Sequence, residues 1–204
     1  MDVRALAIDG SWVFTPPQHR DSRGTFLEWF RAEALAELGH PFTTAQANQS
    51  VSRLGALRGV HFASVPPSQA KYVTCMSGQV LDCVVDIRPG SPTYGEHEAV
   101  LLDDVERHGV YLAEGLGHAF MALSENAVIS YLCSTPYNPA NEHGIDPLDP
   151  DLALPWPREI TPLLSPKDSE APSLKEAEAA GLLPTYRECL AFYEARRTQA
   201  GLGQ

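Results

Sequence analysis

The chain has 204 residues, with 15 Lys and Arg against 26 Asp and Glu and a formal charge of −11 at pH 7. This acidic balance argues against nucleic acid or an anionic membrane as the main partner, because both repel a negatively charged protein. The length is sufficient for one domain with a buried core.

The four cysteines show no CxxC spacing of the kind found in metal or redox sites: Cys75, Cys83, Cys133 and Cys189. The first three stand in apolar, strand-like runs, where a thiol behaves as a small hydrophobic group, so we predict reduced thiols. The N-terminal residues 1–5 lack the apolar core of a signal peptide, and no run approaches roughly eighteen apolar residues. We therefore expect a cytoplasmic protein with no membrane partner.

The sequence pattern of the N-terminal quarter indicates short strands and one short helix, with turn residues between them. We predict a strand over 3–14, a turn at 21–24 and a second strand over 25–30. A short helix is predicted over 31–38, because the segment is rich in Ala, Glu and Leu and is followed by Gly39 as its C′ residue.

The segment 45–50 carries Gln46, Asn48 and Ser50 at alternate positions. Alternation places these three side chains on one face of a strand. A buried amide needs hydrogen-bond partners, so placing this face in an apolar core would cost folding free energy. We interpret the face as one that meets a ligand.

A cluster of cationic and titratable side chains follows in this acidic chain: Arg58, His61 and Lys71. We interpret it as the floor of an active site. Arg58 and His61 are three residues apart and point to opposite faces of a regular strand, but Gly59 between them permits a bulge that brings them to one face. The alternative is a surface strand with one ordinary histidine.

Residues 71–88 have the pattern of a hairpin, with strands over 72–76 and 80–88 around a Ser77-Gly78 turn. One row of the second arm is apolar: Leu81, Cys83, Val85 and Ile87. The opposite row is mixed, and we expect it to be partly solvated or ligand-facing: Val80, Asp82, Val84, Asp86 and Arg88.

Further strands are predicted near 97–102, 108–112 and 128–133, together with one that carries His118 and Phe120. So many short strands, separated by Gly, Pro and Asp turns and with almost no helix before residue 170, predict an all-β fold, either a β-sandwich or a jelly roll. The alternating helices of a doubly wound α/β fold are absent.

The C-terminal segment has a different pattern. Ser173-Leu174-Lys175-Glu176 fits a capping box, Gly181 a helix stop, and 186–197 a second helix. We assign residues 1–170 to the β-rich domain and 171–204 to a helical tail that packs on the same domain or on a partner subunit.

Eight motifs occur in order along the chain. They are Asp21-Ser22-Arg23-Gly24-x-Phe26-x-Glu28, Gln46-x-Asn48-x-Ser50, Arg58-Gly59-Val60-His61, Pro67-x-Gln69-x-Lys71, Val85-Asp86-Ile87-Arg88-x-Gly90-Ser91-Pro92-Thr93, Gly117-His118-Ala119-Phe120, Tyr131-x-x-x-x-x-Tyr137 and Leu164-Ser165-x-Lys167-Asp168. Together they resemble the dTDP-4-dehydrorhamnose 3,5-epimerase family over about residues 2–175. The resemblance implies a cupin-type jelly roll, and with the helices predicted above we expect this fold to carry a short N-terminal helix and C-terminal helices. It also implies a homodimer that epimerises dTDP-4-dehydro-6-deoxy-D-glucose without metal or organic cofactor.

The chemistry of such an epimerase can be argued from the substrate. A proton on carbon beside a ketone is acidic only when the enolate oxygen is stabilised, so the site needs a base, an oxyanion partner and an acid on the opposite face. Histidine titrates near neutral pH and is a suitable base. By the resemblance the catalytic residues are His61 as base, Asp168 as the carboxylate that orients it, Lys71 at the enolate and Tyr131 as acid.

The resemblance also implies a set of substrate-binding residues: Arg23, Phe26, Glu28, Gln46, Asn48, Arg58, His118, Tyr137, Glu142 and Lys167. Planar guanidinium groups suit the diphosphate, because they meet phosphate oxygens bidentately. Glu28 and Glu142 repel that anion and would hold hydrogen-bond donors of the sugar or the base.

The chain departs from the usual family pattern in two places. Phe62-Ala63-Ser64 follows His61 where an aromatic residue and Gln are usual, and Pro147-Leu148-Asp149-Pro150 replaces a common Trp-Asn-Asp-Pro. Both departures bear on pocket shape and so on which carbon reacts. We expect inversion at carbons 3 and 5, and the alternative is a 3-only or 5-only epimerase of an antibiotic deoxysugar pathway.

Two further classes compete with the epimerase. A metal-dependent cupin needs about three to four His or carboxylate ligands, and His118 is the only histidine that suits a site with His61. A non-catalytic cupin that binds sugar nucleotides is expected to lack the base, the acid or the lysine, yet all of these are present.

Overall fold

The computed structural model describes residues 1–202, in which β-strands dominate. The strands are β1 (Asp2–Ala5), β2 (Ser11–Thr15), β3 (Gln18–Asp21), β4 (Gly24–Leu27), β5 (Gln46–Ser52), β6 (Leu57–Ala63), β7 (Lys71–Ser77), β8 (Gln79–Val85), β9 (His97–Asp103), β10 (Gly109–Leu112), β11 (Gly117–Ala122), β12 (Ala127–Cys133) and β13 (Glu142–Gly144). The helices are α1 (Ala32–Glu37), α2 (Pro166–Ser169), α3 (Leu174–Ala179) and α4 (Tyr186–Gln199). Across residues 1–202, no helix has the length and apolar content needed to cross a membrane.

Two antiparallel sheets form a sandwich. The first has the order β1-β2-β10-β7-β12-β5 and the second β13-β6-β11-β8-β9, while β3 and β4 pair with each other as a separate hairpin. Apolar side chains of both sheets form a common core, including Val73, Val84, Val110 and Ile129. The predicted all-β sandwich is therefore confirmed, and so are the short N-terminal helix and the C-terminal helices.

The predicted hairpin around Ser77-Gly78 is wrong. β7 pairs with β10 and β12 in the first sheet, whereas β8 pairs with β11 and β9 in the second. Gly78 has a φ of +78°, and a Cβ there would collide with the Ser124 hydroxyl. Glycine therefore turns the chain sharply from one sheet into the other, and the same turn signal also fits a hairpin.

The strand predicted over 3–14 is two strands, β1 and β2, which pair antiparallel after a turn at Gly10. The strand predicted over 25–30 ends at Leu27, the last residue of β4. The short helix is confirmed as α1, followed by Gly39 with a φ of +79°.

The mixed row of β8 and the residues after it is buried rather than solvated. Val80 and Val84 belong to the core between the sheets, and Asp82, Asp86 and Arg88 are fully buried. The sequence pattern was misleading because charged residues usually indicate an exposed face. Here the charges have hydrogen-bonded partners inside the protein, and without them the free-energy cost of burial would be large.

Asp86 and Arg88 form a bidentate ion pair, with both N···O distances at 2.9 Å. Burial opposes ionisation of Asp86, but the hydrogen bonds and charge of Arg88, aided by Ser91 and Thr93, hold the pKa of Asp86 below its ordinary value. Arg88 Nη1 also donates to Tyr193 Oη at 3.3 Å. The ion pair therefore connects the end of β8 to α4.

The C-terminal helices pack on the sheets of their own chain. Cys189 and Tyr193 of α4 lie in a cluster with Phe14 and Tyr111, and Leu174 of α3 joins a second cluster on the other sheet. The predicted capping box of Ser173 and Glu176 is confirmed. Thr185 and Glu188 form another at the start of α4.

Stability is expected to fall in mild acid because of His40. Its ring packs against Trp12, Tyr111 and Tyr193, with centroids 4.9 to 5.7 Å apart. Burial, with a contribution from Arg197, lowers the pKa of His40 to about 4. Between pH ~6.5 and 4, the imidazole is therefore protonated in the unfolded chain but neutral in the folded protein, and protonation favours unfolding. We expect stability to decline by about 3 kcal/mol as pH falls through that window.

Urea unfolding of the wild type and His40→Phe between pH 4 and 7 measures this contribution. The variant should show a flatter pH dependence, whereas replacement of the exposed His19 by Gln should leave the slope unchanged. Equal slopes in wild type and His40→Phe would contradict the assignment.

Candidate active site

A cavity of about 310 Å³ lies between the two sheets. Eleven of the fourteen predicted site residues line it: Gln46, Asn48, Arg58, His61, Lys71, His118, Tyr131, Tyr137, Glu142, Lys167 and Asp168. Four other residues complete the lining: Ser50, Gln69, Phe120 and Ser165. The three side chains of the polar face predicted for 45–50 therefore lie together on one wall of the cavity.

A bulge in β6 brings Arg58 and His61 to the cavity together. His61 pairs with His118, and Arg58 with Phe120, so three steps on β6 match two on β11. Gly59 in this bulge has a φ of +125°, and a Cβ there would collide with the backbone of β11. The bulge that Gly59 permits is therefore present, and only glycine allows so close an approach of the two strands.

His61 and Asp168 form a close pair, with 2.6 Å between Nε2 and Oδ1. Asp168 is only 5% exposed, while a third of the His61 side chain is open. Burial opposes ionisation of Asp168, but His61, Ser165 and Lys167 outweigh it and lower the pKa of this carboxyl. In residues 1–202, Nδ1 of His61 has no hydrogen-bond partner, so this nitrogen is the one available to a ligand proton.

Lys71 and Tyr131 face the cavity from the first sheet, opposite His61 on the second. Burial raises the pKa of the Tyr131 phenol, with a further contribution from the Cys133 thiol. The phenol therefore carries its proton at neutral pH and can donate it. A base on one wall and an acid on the other suit proton transfer to the two faces of one carbon.

The amides of Gln46 and Asn48 are connected in a row. The backbone N–H of Tyr137 donates to Gln46 Oε1, and Gln46 Nε2 donates to Asn48 Oδ1, both at 2.8 Å. Asn48 Nδ2 in turn lies 3.7 Å from the Cys133 sulfur. Each carbonyl already accepts a hydrogen bond and each NH₂ group retains one N–H, so the row chiefly offers donors to a ligand.

Asp82 is a residue of the site that the sequence analysis did not assign. Its Oδ2 lies 2.7 Å from Nε2 of His118, and the side chain is fully buried behind the cavity wall. The signal was a charged residue within the apolar strand β8, but nothing in the local sequence identified His118 as its partner.

Three predicted residues do not reach the cavity of their own chain: Arg23, Phe26 and Glu28. Arg23 pairs with Asp21 at 2.6 Å, and Glu28 with Arg31. Phe26 is 73% exposed. Arg23 and Phe26 belong to the β3–β4 hairpin and Glu28 follows it, outside the two sheets that enclose the cavity.

Within residues 1–202, no group of three or more His, Cys, Asp or Glu side chains has the arrangement of a metal site. The two cavity histidines, His61 and His118, each face a carboxylate instead.

A family model described as dTDP-4-dehydrorhamnose 3,5-epimerase matches residues 5–176. The chain is 54% identical over 198 residues to a dTDP-4-dehydrorhamnose 3,5-epimerase of Mycolicibacterium smegmatis, a match that covers 97% of this chain and 98% of that protein.

Two solved structures are similar over nearly the whole chain. One is a 4-keto-6-deoxy sugar epimerase from the novobiocin biosynthetic gene cluster of Streptomyces spheroides, with a TM-score of 0.90 and 55% identity over 93% of this chain and 95% of that one. The other is a 3′-monoepimerase of Streptomyces bikiniensis in complex with dTDP-quinovose, with a TM-score of 0.92 and 49% identity over 95% of this chain and 98% of that one.

Proposed function

Since the chain belongs to the dTDP-4-dehydrorhamnose 3,5-epimerase family and is an isomerase of dTDP-4-dehydro-6-deoxyhexoses, we propose that it inverts both carbon 3 and carbon 5 of dTDP-4-dehydro-6-deoxy-D-glucose. The product would be dTDP-4-dehydro-L-rhamnose. The observation that carries the proposal is the His61–Asp168 pair on one wall of the cavity with Tyr131 on the opposite wall.

In the proposed mechanism His61 removes the proton beside the ketone. Asp168 holds Nε2 and stabilises the imidazolium that forms, as the carboxylate of a catalytic triad does. The electrons move to the ketone oxygen, where the ammonium of Lys71 stabilises the enolate. Tyr131 then returns a proton to the other face of the carbon, which inverts it.

One base can serve both carbons. In the chair form of the substrate, the hydrogens on carbons 3 and 5 are axial and on the same face of the ring, and both carbons are adjacent to the ketone. His61 on one side and Tyr131 on the other therefore fit two successive inversions with a small shift of the sugar.

The cavity also suits the anionic part of the substrate. The molecule as a whole is acidic, but Arg58, Lys71 and Lys167 converge on this one space. A diphosphate is attracted by such a local group of cations, and the spare N–H groups of Gln46 and Asn48 complement its oxygens.

A 3-only epimerase is the second candidate, since the similar structure from Streptomyces bikiniensis is a 3′-monoepimerase. The two departures from the family pattern do not line the main cavity. Phe62 packs in the second apolar cluster, with Leu174 of α3. Asp149 accepts a hydrogen bond from the backbone N–H of Leu174. This placement supports double inversion, because neither departure replaces a side chain that lines the main cavity, although Ala63 lines an adjoining pocket beside Tyr137 and Glu142.

An NMR time course with dTDP-4-dehydro-6-deoxy-D-glucose in deuterated water tests the proposal. Deuterium and inversion at both carbons are the expected result. Reaction at carbon 3 alone would establish the mono-epimerase instead, and no exchange at either carbon would contradict catalysis and favour a sugar-nucleotide-binding protein.

We also propose that the chain forms a homodimer in which the β3–β4 hairpin meets a second copy. The hairpin carries the exposed Phe26, and β5, which lines the cavity, has no strand partner on its outer side within residues 1–202. Exposed strand edges commonly pair with another chain. Light scattering of the purified protein tests this, and a monomer would contradict it.

The proposed location is the cytoplasm. The support is that the four cysteines are free thiols, the usual state in a reducing compartment.

A further inference from the structure

Both carboxylate oxygens of Asp168 have a side-chain partner. Oδ1 contacts His61 Nε2 at 2.6 Å, and Oδ2 accepts a hydrogen bond from the Ser165 hydroxyl at 2.8 Å. We propose that Ser165 is a positioning residue, which orients the Asp168 carboxylate so that it holds His61 for proton abstraction. This inference rests on the proposed function, since it presumes that His61 is the base.

Ser165 fixes Asp168 at two points. Its hydroxyl donates to the carboxylate and also accepts from the backbone N–H of Asp168 at 3.1 Å. The last torsion of an aspartate is broad, so a single contact with His61 would leave the carboxylate free to rotate. Contacts at the backbone and at the second oxygen remove that freedom.

The segment that carries Ser165 is itself anchored to the sheet. Leu163 forms a parallel bridge beside Ala56, with hydrogen bonds of 3.0 Å to the Leu57 N–H and 2.8 Å to the Gly55 carbonyl. Ser165 therefore lies two residues beyond a fixed point. α2 has only four residues and offers little rigidity of its own, so the contact from Ser165 is needed to hold Asp168.

The other helix starts in the tail show what is unusual at α2. In the capping boxes of α3 and α4, the N-cap hydroxyl donates to the Glu at N3, and that Glu closes back onto the N-cap backbone N–H. In α2 the N-cap position is Ser165 and the N3 position is Asp168. The Asp168 oxygen that does not accept from Ser165 contacts His61 instead of the N-cap N–H. α2 therefore has half of a capping box, in which the N3 carboxylate is directed at the proposed base instead of at the N-cap N–H.

Variants at Ser165 and at the matched cap Ser173 separate positioning from helix capping. We expect Ser165→Ala and Ser165→Gly to lower kcat by roughly 10-fold to 100-fold with KM within about twofold, because misplacing a catalytic group costs rate rather than binding. Ser165→Thr retains the hydroxyl and should restore kcat. Ser173→Ala removes an equivalent cap far from the cavity and should lower the melting temperature by a similar amount without lowering kcat.

The assay is turnover of dTDP-4-dehydro-6-deoxy-D-glucose, with Asp168→Ala measured in parallel. If Asp168→Ala is inactive while Ser165→Ala and Ser165→Gly turn over like Ser173→Ala, the inference about Ser165 is wrong and the proposed function stands. If Asp168→Ala retains wild-type turnover, the proposed pairing of base and carboxylate is wrong as well. Failure of Ser165→Thr to restore kcat would also overturn the role of the hydroxyl.

Discussion

Replacing His61 with Asn is expected to abolish deuterium incorporation at carbons 3 and 5, with a fall in exchange rate of at least about 10³-fold. The Asn side chain retains a polar group beside Asp168 but has no basic nitrogen to accept a carbon-bound proton. Because one imidazole serves both positions in the proposed mechanism, both exchange rates should fall together. NMR of the substrate in deuterated water measures the two rates separately.

Binding provides the control for this variant. Calorimetric titration with dTDP should give a dissociation constant close to that of the wild type, because Arg58 and Lys167 remain in place. His97→Asn, on the edge strand β9 and outside the cavity lining, should retain full activity. If His61→Asn exchanged deuterium at the wild-type rate, another group would have to be the base.

Tyr131→Phe is expected to separate exchange from inversion. Phe retains the ring in the cavity wall but has no proton to donate, so His61 can still remove the substrate proton and return deuterium to the same face. We expect inversion to fall by about 10² to 10³-fold while exchange continues. The ratio of exchanged to inverted product in the same NMR experiment measures this effect.

Tyr94→Phe is a matched control, because it removes the same phenol hydroxyl from a tyrosine outside the cavity lining. In the wild type this hydroxyl donates a hydrogen bond to Glu178. It should leave both rates unchanged. Loss of exchange and inversion in equal proportion for Tyr131→Phe would show that the phenol does not act on the second face alone, and the proposed division between base and acid would be wrong.

The sequence predicted those features that depend on neighbouring residues. Alternation placed Gln46, Asn48 and Ser50 on one face, and the glycine between Arg58 and His61 marked the place where a bulge was possible and where the strand pairing contains one. The capping box at Ser173 was equally local. In each case the signal and the structure it specifies lie within a few residues of one another.

Features that depend on distant partners could not be predicted in this way. The turn at Ser77-Gly78 looks the same whether the next strand joins its neighbour or the opposite sheet. The contact of Arg88 with α4 depends on Tyr193, 105 residues away, and the place of Asp82 in the site depends on His118. The position of Asp168 beside His61 followed only from the family resemblance, because 107 residues separate them.

The switch between sheets at Gly78 also has a consequence for biosynthesis. β7 and β8 lie in different sheets, and several strands pair with strands much later in the chain: β2 must wait for β10, β6 for β11, and β5 for β12. Closing such long loops costs entropy before any contact repays it, and folds of this type form in milliseconds to seconds. A nascent chain that has not yet reached Cys133 exposes the unpaired edges of β5 and β7. We therefore expect translation pauses or truncation before that residue to cause aggregation, even though the finished protein is well packed.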